Sequence, residues 1–332
     1  MLLVFKTHTA SAQSVDANRF IPSAQSSTFV GLEDPIVTDS GFSGGLFFHH
    51  AKNPLLYRIE DPSRDDIRVL GNLWSADLLS GYRFGTWGIT LHLPTHIYAE
   101  GDAFKQWGSI GDIAVQANVT LLDRLNDTVG LGLTGRLSAP TGNSIHWLGS
   151  NNYSGTTHVH FSYGRKAIFA ANLGAHLTEN QDLGTLKAGS QIRWGAGGHL
   201  PLSEHTATSI EINGAHNWQS FNSTGAHPIE ILNSGQWAFS EKWQLNIGWG
   251  AALSRGIGAP AYRALAGIQY GQRYETQSPV EPPPVRESRQ VLSLSVTNHE
   301  GEPVQTRAIL VESAIALDTN PEGQAETAVS NG

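Results

Sequence analysis

The chain has 332 residues, a formal net charge of −8 and no cysteine. The negative charge argues against a nucleic-acid partner, because phosphate binding requires a basic surface, and the lack of cysteine excludes disulfides and thiolate metal sites. Glycine is frequent, at 36 residues, and only 15% of the residues are charged. No apolar run approaches the roughly 18 residues that a membrane helix needs, which leaves a β-barrel as the compatible membrane architecture.

The N-terminal region predicts export. Residues 1–12 combine a brief apolar stretch with Ala10-Ser11-Ala12, a pattern that signal peptidase cleaves. The apolar stretch is too short for a complete signal, so we interpret residues 1–12 as the remnant of a truncated signal peptide; an ordinary chain terminus is the alternative. Residues 13–40 show little periodicity, and we predict an N-terminal segment that either lies in the periplasm or plugs a lumen.

Period-2 alternation of apolar with polar or small residues recurs along residues 41–273 and indicates β-strands. Leu245, Ile247 and Trp249, for example, alternate with Asn246 and small residues. No convincing amphipathic helix interrupts the pattern. We therefore predict an all-β fold, an antiparallel transmembrane β-barrel of about 12 strands. The predicted strands are 42–51, 67–84, 88–98, 109–122, 128–139, 153–163, 167–178, 185–200, 206–216, 228–238, 242–254 and 260–271.

The predicted connections differ in length at the two ends of the strands. Connections such as "GTW" (85–87), "GRK" (164–166) and "SEK" (240–242) are short, whereas "PTGNSIHWLGSNN" (140–152) is long. Short turns at one end and longer loops at the other are typical of outer-membrane barrels, whose short turns are periplasmic. With an even number of strands, this pattern predicts an outer-membrane protein of a Gram-negative bacterium with both termini in the periplasm.

The two faces of the predicted strands differ in composition. One face is apolar, whereas the other is rich in Gly, Asn, Gln, Ser and His with few charges. A soluble sandwich, the alternative, would expose a more highly charged face to water, so we assign the apolar face to lipid and the polar face to a lumen. Aromatic residues near the strand ends are predicted to form an interfacial girdle: Trp87, Phe161, Tyr163, Phe169, Trp194, Trp237, Trp243, Tyr262 and Tyr270.

The polar face defines the predicted lumen-lining residues. They include acidic and basic side chains, and this mixture predicts no strong ion preference. The predicted set is Asp77, His92, His96, Asp112, Gln116, Asn118, Arg136, His158, His160, Lys187, Gln191, Arg193, Glu211, Asn246 and Arg263.

Motifs that could carry chemistry have simpler explanations. "GFSGG" (41–45) matches the G-x-S-x-G pattern, but a nucleophile elbow requires a following helix, which the sequence does not predict. His158 and His160 share a face and could bind Zn or Cu; a hydrogen-bond network in the lumen is the alternative. His146 with Asp102 or Glu100 could be imagined as a catalytic group at the outer rim. We predict no enzyme activity, no catalytic residues, no metal and no cofactor.

Several segments carry a resemblance to a known family. Residues 18–56, "HLPTHI" (92–97), "SIGDIAVQANVTLL" (109–122), "LSAPTG" (137–142) and "GIGAPAYRALAGIQY" (256–270) resemble the N-terminal β-barrel of Gram-negative OmpA-family outer-membrane proteins. The barrel is also similar to transporter-like barrels grouped with phenol-degradation outer-membrane proteins. Family members often continue into Asp-rich repeats and a peptidoglycan-binding domain. Neither is found here, so the resemblance does not imply a wall-anchoring role, nor does it imply a residue-level mechanism.

The composition changes after the predicted barrel. Residues 274–290 are rich in proline and predict a semi-rigid linker. Residues 291–332 predict short strands around turns, similar to part of a small immunoglobulin-like or carboxypeptidase-regulatory-like β domain. This segment could contact periplasmic or cell-wall components.

Two functions agree with this organisation. The first is a pore or transporter for small solutes, because twelve strands enclose more space than eight, whose interior side chains fill. The second is a structural outer-membrane anchor for the C-terminal module, with a barrel that does not conduct. In both, outer-membrane lipid is the surrounding partner.

Overall fold

The computed structural model describes residues 16–23, 26–37, 40–57, 63, 65–183, 186–220, 225–271, 290–310 and 315–329. The chain divides into two compact units, Met1–Thr276 and Gln277–Gly332. None of the helices within the described ranges is long and apolar enough to cross a membrane.

The first unit is a closed antiparallel β-barrel, which confirms the predicted fold class. The strands that form the wall pair with one another in chain order, and the last strand pairs with the first, with Gly44 opposite Tyr270 and Lys52 opposite Tyr262. The strands are β1 Gly41–Tyr57, β2 Ile67–Phe84, β3 Trp87–Glu100, β4 Lys105–Ile110, β5 Ala114–Leu122, β6 Val129–Ser138, β7 Ser154–Tyr163, β8 Ile168–Leu177, β9 Gln181–Leu183, β10 Leu186–Ala188, β11 Gln191–Pro201, β12 Thr206–Asn217, β13 Ile229–Ala238, β14 Trp243–Ser254 and β15 Tyr262–Tyr270.

Twelve barrel strands result because two of these elements share one position and two lie outside the sheet. β4 and β5 pair with successive parts of β3, so together they fill one place in the barrel. β9 and β10 pair only with each other within the described residues. The predicted strand 109–122 is therefore interrupted, and the predicted strand 185–200 is divided between β10 and β11.

The interruption between β4 and β5 has a local cause. The carboxylate of Asp112 accepts hydrogen bonds from Gly142 N at 2.9 Å and from Ser150 N and Oγ at 2.8 and 2.6 Å. These contacts tie the strand to the loop 139–153 instead of extending the ladder. The alternation of apolar residues does not reveal this contact, because the partner backbone is about thirty residues further along the chain.

The two ends of the barrel differ as the connection lengths predict. We call the end with the shorter connections the short-turn end and the opposite end the long-loop end. At the short-turn end, Arg124–Asp127 forms α1, a four-residue helical turn between β5 and β6. Gly164 in another short turn has φ 108°, and a Cβ there would lie 2.1 Å from Ala167 O. The short connections are 85–86, 123–128, 164–167, 202–205 and 239–242.

Alternate residues along the strands lie on opposite faces of the wall. In β3, Ile89 and Leu91 are exposed on the outside, whereas Thr90 and His92 are buried on the inside. Of the predicted girdle residues, Trp194 and Tyr270 are half-buried, and the others are exposed. The Trp194 indole covers Gly214, where a Cβ would lie 2.5 Å from the ring. The outer surface is therefore a broad apolar surface, which suits lipid rather than water.

The second unit contains two small antiparallel pairs of strands. β16 (Gln290–Ser295) pairs with β19 (Gln324–Val329), and β17 (Arg307–Leu310) pairs with β18 (Ile315–Asp318). The Thr319 hydroxyl donates to the carbonyls of Val304 and Thr306 at 3.1 and 3.0 Å. The predicted linker 274–290 lies outside the described residues except at Gln290, and the predicted identity of the C-terminal domain stays a prediction.

The outer surface leads to a first test. Ile247 in the middle of β14 is 59% exposed, and Leu202 in a short turn is 63% exposed. In lipid, Ile247→Arg should reduce the free energy of unfolding by about 2–4 kcal/mol, because a cation then faces hydrocarbon, whereas Leu202→Arg at the interface should cost about 0–1 kcal/mol. Urea unfolding of protein folded into vesicles measures both. Equal losses would contradict a lipid-facing outer surface.

Candidate functional site

Residues 16–23 and 26–37 lie inside the barrel and are called the inner segment. Phe29, Val30 and Ile36 of this segment are fully buried. Phe29 packs with Ile168 and other inward residues, and Val30 packs in a cluster with Phe47, Leu79, Leu232 and Leu265. The inner segment therefore supplies an apolar core to a barrel whose wall is largely polar on the inside.

The inner segment passes from one end of the barrel to the other. At the long-loop end, Ala17 N donates to Trp147 O at 3.1 Å, and Arg19 Nη1 donates to Ile257 O at 3.3 Å. At the short-turn end, Arg83 Nη1 donates to Ile36 O at 2.6 Å. The first described residues therefore lie at the end opposite the start of β1. The location of the N-terminus itself lies outside the described residues.

Inward side chains of the wall satisfy the backbone of the inner segment. The carboxylate of Glu211 accepts hydrogen bonds from Val30 N at 2.8 Å and Gly31 N at 2.9 Å. Gln236 and Gln244 donate from Nε2 to the carbonyls of Thr28 and Ser27 at 2.8 and 3.0 Å. A buried segment without regular secondary structure needs such partners, because unpaired backbone groups are costly away from water.

A buried ion pair fixes the part of the inner segment near the short-turn end. Arg124 in α1 forms a bidentate contact with Asp34, with Nε to Oδ1 at 2.9 Å and Nη2 to Oδ2 at 2.7 Å. Thr28 Oγ1 donates to the same carboxylate at 2.8 Å. Because Arg124 and Asp34 are both almost completely buried, removing either partner would leave an uncompensated charge inside the protein.

A row of charged and polar side chains from six strands runs along the inner face of the wall. Arg136 contacts His92 Nδ1, and His92 Nε2 lies 2.8 Å from Asp77 Oδ1. On the other side, His49 Nε2 lies 3.0 Å from Asp77 Oδ2 but is not aligned for a hydrogen bond. His49 Nδ1 lies 3.1 Å from Arg263 Nη1, and Arg263 pairs with Glu230.

The contacts of His92 and His49 in this row of side chains define the tautomers of both rings. A guanidinium can only donate, so Nδ1 of His92 and Nδ1 of His49 must accept from Arg136 and Arg263. Each ring therefore carries its proton on Nε2, facing Asp77. Asp77 accepts a hydrogen bond from His92 Nε2, and its second carboxylate oxygen lies near Nε2 of His49 without an aligned hydrogen bond.

Other predicted lumen residues form a second polar network. Gln116 donates to Glu33 Oε1 at 2.9 Å, Asn118 donates to Thr134 Oγ1 at 2.9 Å, and His160 Nε2 lies 2.6 Å from the same hydroxyl. The rings of His158 and His160 are 5.9 Å apart. No group of three metal-ligating side chains occurs within the described part of the chain, and the hydrogen-bond network proposed for His158 and His160 stays a prediction.

The remaining predicted residues occupy separate places. His96 Nδ1 lies 2.8 Å from Ser75 Oγ, and Asn246 donates to Gln269 at 2.9 Å. Gln191 and Arg193 line a cavity together with residues of the inner segment. Lys187 belongs to β10, outside the barrel wall, and its side chain lies outside the described residues.

The described residues of the inner segment and the wall line two adjoining cavities. A cavity of about 90 Å³ lies toward the long-loop end, and a second of about 160 Å³ lies deeper. The two cavities meet at a shared set of residues: Arg19, Phe20, Ile21, Arg136, Thr156 and Arg193. We call this set the arginine junction.

Asp102 and His146, considered as catalytic groups at the outer rim, form contacts with different residues and not with each other. Asp102 accepts hydrogen bonds from the Arg68 backbone N–H and side chain, both at 2.8 Å, and these contacts hold the pKa of Asp102 below its usual value. His146 instead stacks on Phe104, with ring centroids 4.5 Å apart. "GFSGG" (41–45) begins a strand and is followed by no helix.

Several residues of the lumen are absent from the sequence prediction. His49 lies on the inner face of β1, and the alternation through "LFFHHA" contains a signal for it, because Phe47 and His49 share a face. Glu230 has a similar signal, because it shares a face of β13 with Ser234 and Gln236, whereas Arg19 and Asp34 have none. Arg19 and Asp34 belong to the aperiodic inner segment, whose contacts depend on the folded barrel.

Comparison with known proteins supports the fold. The COG4313 outer membrane channel from Pseudomonas putida F1 is 17% identical, with 73% of this chain and 99% of that chain covered and a TM-score of 0.57. The NanC porin is 10% identical (70% and 100% covered, TM-score 0.46), and the KdgM porin in complex with disordered oligogalacturonate is 11% identical (69% and 99% covered, TM-score 0.46). No protein-family model and no curated protein matches the chain.

The comparison with the COG4313 channel shows that the chain has the β-barrel fold of an outer-membrane channel. The resemblance to the OmpA family is not supported by these matches and stays a prediction.

The buried ion pair provides a second test. Asp34→Asn should reduce the free energy of unfolding by about 3–5 kcal/mol, because Arg124 stays buried without its counter-ion. The control is Asp102→Asn, which breaks the exposed pair with Arg68 and should leave stability nearly unchanged. Denaturant unfolding in detergent or vesicles measures both variants. A similarly small loss for both would show that the inner segment is not held by Asp34.

Proposed function

We propose that the chain is an outer-membrane channel for small solutes whose lumen is narrowed by the inner segment. The observation that carries the proposal is the combination of a closed barrel, an apolar outer surface and two adjoining polar cavities inside. A barrel of twelve strands has room for more than the side chains of its own wall. In this protein the inner segment occupies part of that room.

The inner segment supports a channel that passes small solutes rather than a wide aqueous pore. The cavities are about 90 and 160 Å³, and hydrogen bonds from the wall hold the segment at both ends. Passage of larger molecules would require the segment to move. The Glu211 contacts and the Asp34–Arg124 pair oppose such movement, because both would have to break together.

The alternative is a structural anchor whose barrel does not conduct. The second unit, with its two small pairs of strands, favours this function as a module that could contact periplasmic or cell-wall components. We further propose that the barrel is related to those of the OmpA family, a relation that by itself implies no wall-anchoring role. Conductance distinguishes the two functions.

We assign the short-turn end to the periplasm and the long-loop end to the cell exterior, as in other outer-membrane barrels. In this orientation the last barrel strand, β15, ends at the periplasmic side, and Asp16 lies near the end that faces the cell exterior.

Deleting residues 1–37 should raise the single-channel conductance several-fold. The strands and their closure do not include these residues, and Glu211 and Arg124 can be solvated once water fills the lumen. The measurement is planar-bilayer recording of the full chain and the deletion variant, with heat-modifiable gel mobility as the control for barrel folding. Equal conductance would show that the inner segment does not limit flow, and silence of both folded proteins would favour the anchor.

Orientation is tested with single cysteines, since the chain has none of its own. Asn151 in a long loop and Lys166 in a short turn are both exposed. In intact cells, Asn151→Cys should react with a membrane-impermeant maleimide, and Lys166→Cys should react only after lysis. Reaction of Lys166→Cys alone in intact cells would reverse the assigned orientation.

A further inference from the structure

The arginine junction brings together cations from three separate elements. Arg19 comes from the inner segment, Arg136 from β6 and Arg193 from β11, and all three line both cavities. The charge of Arg193 acts unfavourably on both Arg19 and Arg136. Like charges in a confined space raise the local positive potential, which attracts an anion.

Most carboxylates around the two cavities are already held by other groups. Asp112 accepts hydrogen bonds from the loop 139–153, and Glu230 pairs with Arg263. Glu33 accepts from Ser23 Oγ and Gln116 Nε2, both at 2.9 Å. Glu179 contacts Asn152. Each of these carboxylates therefore has a hydrogen-bond or ion-pair partner outside the junction, while the charges of Glu230 and Glu33 also act on Arg19 and Arg136.

Asp16 lines the first cavity and is one of the carboxylates whose charge acts on the junction, together with Glu230 and Glu33. It attracts Arg19 and Arg193 and accepts a hydrogen bond from Asn18 N at 2.8 Å. Within the part of the chain that the structure describes, Arg193 Nε is buried and has no hydrogen-bond partner. A buried donor without a partner is costly, and at the edge of a cavity it is available to a ligand.

The junction also has an apolar side. Phe20 and Ile21 of the inner segment line both cavities, and Ile257 lines the first. Phe20 is nearly fully buried, and the guanidinium of Arg263 lies 4.9 Å from its ring centroid. A ligand at the junction would therefore meet guanidinium donors on one side and apolar side chains on the other.

We propose that the arginine junction binds a small organic acid, with its carboxylate on Arg19 and Arg193 and its apolar body against Phe20 and Ile21. The guanidinium group suits this role because its fixed donors match the two oxygens of a carboxylate. Asp16 acts as an internal competitor for the same arginines. The inference rests on the proposed channel function, because it names the class of solute that the channel takes.

The test is equilibrium binding to the whole chain in detergent, measured by isothermal titration calorimetry. The probes are benzoate, benzyl alcohol and inorganic phosphate. Benzoate should bind at least tenfold more tightly than benzyl alcohol, which keeps the ring but lacks the charge, and more tightly than phosphate, which lacks the ring. If benzyl alcohol binds equally well, the arginines are not the recognition element, and if phosphate binds equally well, the apolar side is not used.

Variants assign the binding to the junction. Arg193→Gln and Arg19→Gln should each weaken benzoate binding by about tenfold or more, the usual size of a lost hydrogen bond to a charged group. Arg165→Gln removes the same charge from an exposed short turn and should leave binding unchanged. Asp16→Asn should strengthen binding, because the competing carboxylate is removed. Heat-modifiable gel mobility identifies any variant that does not fold.

The outcomes separate this inference from the channel function. Unchanged benzoate affinity in folded Arg193→Gln and Arg19→Gln, or weaker binding in Asp16→Asn, would overturn the organic-acid site even if the barrel conducts. Benzoate binding with the expected variant pattern would support the site even if bilayer recordings are silent, because calorimetry does not require passage through the barrel.

Discussion

Closure of the backbone ladder between β1 and β15 is the constraint on which the rest of the structure depends. The register from Gly44 opposite Tyr270 to Lys52 opposite Tyr262 removes the free edges that an open sheet would present. In hydrocarbon, unpaired N–H and C=O groups each cost several kcal/mol, so a spanning sheet has to close. Once it closes, alternation of side chains produces one surface for lipid and one enclosed surface.

The enclosed surface then determines how the inner segment can be held. This segment forms no ladder, and its backbone needs partners from side chains. Glu211, Gln236 and Gln244 provide them from the wall, and the Arg124–Asp34 pair fixes the segment near the short turns. Polar residues on the inner face are thus used for structure as much as for lining a path. The inner segment also lines two cavities in the lumen, which share the residues of the arginine junction.

Engagement of charges within the wall changes the electrostatic character of the lumen. Asp77 faces His49 and His92, and Glu230 faces Arg263. The negative groups are held in these pairs, whereas Arg19 and Arg193 face the cavities. Charge that is already paired has little effect on a passing solute, since its field is compensated nearby. A lumen that contains charged residues of both signs can therefore still have a positive potential at the arginine junction.

The sequence by itself determined the barrel, its number of strands and the faces of residues such as Ile89 and His92, because side-chain alternation is a local property of a strand. It also indicated the unequal connections at the two ends. Only the tertiary structure decided that Asp112 interrupts a strand, that Asp34 pairs with Arg124 and that Arg19 meets Arg136 and Arg193. These residues are tens to more than a hundred positions apart, and their contacts exist only when the closed wall surrounds a segment with no periodicity of its own.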